Sequence, residues 1–171
     1  MPNISRKNVK DPDWSKAGSP NVHYHITSMR VPLFEVDIGQ AVYHSNYYHF
    51  FELGRSELLK KIGYPYMELM NRQFHLTIVE SRCRYRKPLK YDDEIEIHTG
   101  IASLNRRGLI FSQLIYKPAR GLRACRMEPE SELGTEAMLN MLCVNFAGRV
   151  SNLPEDFVLA VKKFIDGSVQ L

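Results

Sequence analysis

The chain has 171 residues, 44% of them hydrophobic and 25% charged, which is enough for one domain with a substantial core. No apolar run approaches the roughly 18 residues of a membrane helix, and the first twenty residues carry Lys7, Lys10, Asp11, Asp13 and Lys16 where a secretory signal needs an apolar core, so the cytoplasm is the default address. A net charge of +4, with pI near 9.0, favours anionic ligands without implying nucleic acid, and Cys83, Cys125 and Cys143, an odd number at spacings unlike a metal site, read as reduced thiols.

Residues 1–22, rich in Asn, Ser, Pro, Lys and Asp, read as an irregular extension, and 23–171 as the folded domain. His23 to Phe34 alternates like a first strand, with Pro32 marking an edge or bulge. Asp37 falls in the turn after it. Tyr47 to Ile62 is amphipathic at helical spacing, with Ser45 or Asn46 as N-cap and Gly63 and Pro65 as the stop. Gly54 lies on the apolar stripe of that helix, where a missing side chain permits close approach to a sheet. A short helix is expected at Met67 to Arg72. Four strands follow, at Phe74 to Arg86, Glu94 to Leu104, Leu109 to Lys117 and Thr135 to Ala147, and a last helix at Pro154 to Asp166. The Pro118 to Gly134 connection exceeds hairpin length and is either mobile or functional.

The stretch from Glu35 to Glu52 places a carboxylate, a glycine, a histidine and a helix start within a few turns of chain. A helix N-terminus carries partial positive charge and unpaired N–H groups, so it can polarise a carbonyl beside it, and that suits acyl-group chemistry. Asp37 is open to two readings: a reactive carboxylate, or an Asp that makes a turn with Gly39. His44 is equally open, as a residue that caps or packs, or as an acid or base near neutral pH. Arg106 and Arg107 occupy a tight turn where charged residues are usually solvated. Glu52 and Arg55, at i and i+3, read as a surface ion pair.

Asp37, Gly39, Val42, Tyr43, His44, Asn46, Tyr47, Phe51, Glu52 and Arg55 resemble in register the active-site motif of the hot-dog-fold acyl-CoA thioesterases, in the 4-hydroxybenzoyl-CoA thioesterase and YbgC-like branch. A second block agrees: Arg84-Tyr85-Arg86-Lys87-Pro88, then Asp92-Asp93-Glu94, resembles that family's Tyr-x-x-Pro and Asp-Asp strand lead-in. The resemblance covers roughly residues 23 to 160. It implies an α+β hot-dog fold, an antiparallel sheet wrapped around one long helix, matching the order strand, helix, four strands. It implies Asp37 as nucleophile or base and the His44 backbone N–H as donor to the thioester oxygen, with Tyr47 and Asn46 shaping the pocket. Tyr47, Phe50 and Phe51 are candidates for its floor. Arg106 and Arg107 would meet the phosphates of coenzyme A, and Glu80 would face the site of a partner subunit. The expected substrate is a thioester of coenzyme A or of acyl carrier protein. Neither a metal nor a cofactor beyond coenzyme A itself is expected, since no GxGxxG, P-loop or metal-spaced cluster appears. An open sheet edge leads to the expectation of a homodimer or homotetramer.

Gln40 stands where glycine is common in that family, which puts the local backbone in question. With the long loop, it keeps open a non-catalytic acyl-CoA-binding or sensor module. A hydroxyacyl dehydratase is the remaining alternative, though His44 lacks the Gly-His-Phe-Pro context of such enzymes.

Overall fold

The computed structural model describes residues 21–118 and 131–167. Residues 1–20 of the extension, residues 119–130 of the long connection and Cys125 lie outside the described residues.

Alternation sets the sheet. In Glu94–Leu104 the residues Ile95, Ile97, Thr99 and Ile101 are buried on one face, while Glu96 and His98 on the other are half-buried. Five strands form: β1 (Tyr24–Arg30), β2 (Phe74–Tyr85), β3 (Glu94–Leu104), β4 (Gly108–Lys117) and β5 (Glu132–Asn145). They lie in the order β1-β3-β4-β5-β2, every pair antiparallel, which leaves β1 and β2 as the edges. β2 carries a bulge between Ile78 and Glu80.

One helix, α1 (Tyr47–Lys61), lies on the inner face of this sheet, with Phe50, Phe51, Leu58 and Leu59 buried between them. Gly54 is the point of closest approach. A Cβ there would stand 2.7 Å from Ile97 Cγ2 and would also collide with Thr99 Oγ1, so only glycine lets α1 lie this close. A polar anchor crosses the same contact. Gln113 Nε2 donates to Phe51 O at 2.8 Å and to Thr99 Oγ1 at 2.9 Å, while Arg55 Nη1 donates to Gln113 Oε1 at 2.9 Å. Arg55 is thus buried, over the Phe111 ring, and burial pushes its guanidinium pKa down to about 10. This corrects the expectation of a surface Glu52–Arg55 ion pair: Arg55 turns inward to the Gln113 amide and Glu52 stays exposed. Phe50 and Phe51 likewise belong to the core rather than to a pocket floor.

The helix ends as Gly63 takes φ +75, the left-handed stop that glycine accepts at little cost. Two further helices, α2 (Tyr66–Asn71) and α3 (Glu155–Ile165), close the far end through Tyr64 on Phe157, His23 on Phe164, and a two-pronged Arg72–Asp156 pair. This is the α+β hot-dog arrangement implied by the resemblance. Two boundaries differ most from expectation. β1 stops at Arg30 because Pro32 has no N–H for a ladder, and a 3-10 turn, Leu33–Glu35, follows. β5 begins at Glu132, so Gly134 is a strand residue whose carbonyl takes the N–H groups of Arg86 and Lys87.

Candidate active site

An isolated bridge between Val36 and Val42 folds the intervening residues into a tight excursion that carries Asp37. The Asp37 N–H donates to Ala41 O and the Gln40 N–H to Asp37 O, each at 3.0 Å. Gly39 N–H donates to Asp37 Oδ1 at 2.7 Å, and a Cβ on Gly39 would stand 2.9 Å from that oxygen. The turn reading of Asp37 is therefore correct, and it is compatible with the reactive one. Its second oxygen has no partner among the described residues, and the residue is exposed. Gln40 itself adopts φ +61, so the left-handed turn is kept without glycine, at a steric cost of about 1 kcal/mol.

The carbonyl of Glu35 gathers this excursion onto the helix start. It accepts from Tyr43 N–H at 3.0 Å and from Asn46 Nδ2 at 3.2 Å. Asn46 is the N-cap of α1, one of the two candidates, but its side chain is spent on the Glu35 carbonyl and makes no cap bond, and Ser45 makes none either. Asn46 N–H instead donates to Tyr43 O at 2.8 Å. The backbone N–H groups of His44 and Ser45 have no acceptor among the described residues. The His44 ring is exposed and rests on Tyr43 at 4.3 Å between centroids.

Behind the helix start lies a cleft of about 310 Å³ lined by Ala41, Val42, His44, Tyr47, Tyr85 and Pro88. Tyr47 is its buried wall. Its hydroxyl accepts Leu89 N–H at 3.3 Å, and burial pushes its pKa up, which keeps the phenol neutral. Arg86 and Lys87 complete the rim and are paired with Glu136 at 2.6 Å and Glu132 at 2.5 Å. A larger cavity of about 560 Å³ follows farther along α1, walled by Leu59, Tyr66, Leu76, Phe111 and Met141, with Arg55 in its lining.

The fold gathers His44, Asn46 and Tyr47 at the start of α1, and the Val36–Val42 bridge closes the turn that carries Asp37 just before it. It does not bring Arg106 and Arg107 to them within one chain. β3 starts beside Arg30, just before the Asp37 excursion, and ends at Leu104, so the Arg106–Arg107 turn stands about 30 Å away along the strand. Glu80 lies mid-way along the β2 edge, bonded to Arg82 at 2.9 Å. Two residues not singled out from the sequence join the site: Glu35, whose carboxylate is buried against His49, and Tyr85, whose hydroxyl donates to His44 O. Among the described residues no three His, Cys, Asp or Glu side chains are placed to hold a metal ion, and burial pushes the thiols of Cys83 and Cys143 up, away from the reactive thiolate.

Known proteins share this framework. A family model for the thioesterase-like superfamily matches residues 31–160. The acyl-CoA thioester hydrolase YbgC of Escherichia coli O157:H7 is 29% identical over 117 residues, covering 68% of this chain and 79% of its own. A crystal structure of a hypothetical protein from Thermus thermophilus superposes with TM-score 0.70 at 27% identity, over 81% of this chain and 98% of its own. 4-Hydroxybenzoyl-CoA thioesterase, solved with 4-hydroxybenzoyl-CoA, superposes with TM-score 0.71 at 16% identity, over 81% of this chain and 99% of its own, a likeness of fold. With most of its length matched by the family model and its sheet and helix matched in space, the chain belongs to the thioesterase-like superfamily.

Proposed function

We propose that the protein hydrolyses acyl-CoA thioesters, with Asp37 as the nucleophile or the base toward water. The observation that carries this reading is the pair of unpaired N–H groups, His44 and Ser45, at the start of a 15-residue helix, preceded in the chain by an exposed carboxylate held in a hydrogen-bonded turn. Donors of this kind stabilise negative charge developing on a thioester oxygen, and the helix dipole adds to it. The thiolate of coenzyme A leaves without protonation, so one carboxylate and one oxyanion contact suffice. Through its backbone, His44 needs no particular side chain for this role. The cavity along α1 offers room for the acyl group. Gln40, which had favoured a sensor module, supports it less now that the turn is intact.

The working unit is a homodimer paired through β2. That strand runs from Phe74, at the end of the sheet shared with the Arg106–Arg107 turn, to Tyr85, at the end shared with His44. Two copies of β2 aligned antiparallel would bring the Arg106–Arg107 turn of one chain to the end that holds Asp37 of the other. Guanidinium groups suit phosphates through paired hydrogen bonds, so this turn would hold the nucleotide end of the substrate.

The test is release of free thiol from a panel of aryl and aliphatic acyl-CoA thioesters. Wild type should turn over at least one class, and Asp37→Asn should lower kcat by about a hundredfold or more. A wild type that binds coenzyme A but hydrolyses nothing would favour the sensor reading. An Asp37→Asn variant with normal turnover would remove Asp37 from the chemistry.

A further inference from the structure

Tyr85 closes β2, and its hydroxyl donates to the carbonyl oxygen of His44 at 2.7 Å. The two residues are 41 apart in the chain, so this bond pins the loop before α1 to a distant strand. The phenol is itself held firmly. Its strand is paired with β5 at Thr135, and its ring meets Tyr47 edge-on at 5.1 Å. Like any tyrosine it is a donor at neutral pH, and burial pushes its ionisation further up from the ordinary value.

Unpaired N–H groups occur at the start of any helix and by themselves mean little. What distinguishes this start is how its carbonyls are tied back. The His44 N–H belongs to the peptide whose oxygen, Tyr43 O, accepts from Asn46 N–H at 2.8 Å. The Ser45 N–H belongs to the next peptide, whose oxygen, His44 O, accepts from Tyr85. A peptide unit is planar, so fixing the oxygen fixes the direction of the N–H on its far side. A hydrogen bond at the carbonyl also polarises the unit and strengthens that N–H as a donor. Both consecutive donors are thereby preset, one by the backbone and one by a side chain.

We propose that Tyr85 is a positioning residue for thioester hydrolysis: through the His44 carbonyl it orients the Ser45 N–H toward the thioester oxygen, as a second donor beside the His44 N–H. The proposal rests on the reading of the site as a thioesterase. A Tyr85 that only tied β2 to the loop would matter for stability and not for the oxyanion.

Tyr85→Phe removes the hydroxyl and keeps the ring against Tyr47. It should lower kcat about tenfold with KM within about twofold and a thermal midpoint close to wild type. A direct readout follows the Ser45 amide by NMR as a ketone analogue of acyl-CoA is added, with CH2 in place of the thioester sulfur. The Ser45 amide proton should move downfield in wild type and much less in Tyr85→Phe. Equal kcat in the two proteins, or an amide that responds equally in both, would overturn the proposal, as would a Ser45 amide indifferent to the analogue in wild type. If neither protein hydrolyses any thioester but the amide response still depends on Tyr85, the hydrolase reading fails and the orienting role of Tyr85 toward a bound acyl oxygen stands. If Asp37→Asn retains turnover while Tyr85→Phe loses it, the assignment of Asp37 fails and that of Tyr85 survives.

Discussion

His49 Nδ1 lies 3.0 Å from both carboxylate oxygens of Glu35, a residue only 4% exposed, although His49 itself stands largely in solvent. Glu35 also supplies the carbonyl that gathers Tyr43 and Asn46, so this pair ties the first turn of α1 to the excursion bearing Asp37. No other side chain makes a hydrogen bond or ion pair to that carboxylate among the described residues. His49→Ala should therefore leave a buried carboxylate unpaired and cost about 1–3 kcal/mol. Urea unfolding of the two proteins measures it, and an unchanged midpoint would mean that water replaces His49 at no cost.

Gly54→Ala tests the contact between helix and sheet. Helix propensity alone predicts a gain of about 1 kcal/mol. The added methyl would meet Thr99 and Ile97, and overpacking of this kind costs about 1–3 kcal/mol. A loss is expected in chemical denaturation; a more stable variant would show that α1 can lift off β3 freely.

At Gln40 the left-handed backbone separates two substitutions. Gln40→Gly should stay within about 1 kcal/mol of wild type, because relief of strain is offset by a more flexible unfolded chain. Gln40→Val should lose about 1–2 kcal/mol, since a β-branched residue fits φ +61 poorly. Thermal melts of the pair decide whether the turn holds its shape; equal midpoints would argue that it rearranges.

The arrangement proposed for the dimer makes a prediction by mixing. Arg106→Ala with Arg107→Ala should raise the apparent KM about tenfold and lower kcat much less. Co-refolding this variant with Asp37→Asn gives mixed dimers in which one site carries both defects and the other none. About a quarter of wild-type activity should return at low substrate. No recovery would place the three residues in one chain's site, and activity of about half would remove the arginines from it.

Period and punctuation made most of the fold legible. Glu94 to Leu104 alternates cleanly and forms β3 with those limits, and Gly63 stops α1 as a left-handed glycine should. The Asp37 turn was readable as well, since Asx chemistry is local. What escaped depends on contacts between segments distant in the chain. Arg55 was read at the surface because its inward partner, Gln113, is 58 residues away, and no periodicity announces that bond. Asn46 is the N-cap, as its place before the helix suggests, but its side chain is drawn off by the Glu35 carbonyl, a bond that cap statistics do not foresee. The bond of Tyr85 to His44 joins two motifs, each visible alone, whose meeting only the register of β2 on β5 determines.

That register has a consequence for how the molecule is made. Among the described residues β2 pairs with β5 alone, 50 residues later at Tyr85 with Thr135 and 71 at Phe74 with Asn145. At ribosomal speeds of about 5–20 residues per second, twelve residues of strand wait several seconds with neither edge paired. The tyrosine that orients the helix start lies at the end of that strand, so the first half of the chain, however well its helix forms, cannot assemble the site before β5 has been synthesised. A nascent chain arrested before β5 would expose an adhesive ribbon to its neighbours on the polysome.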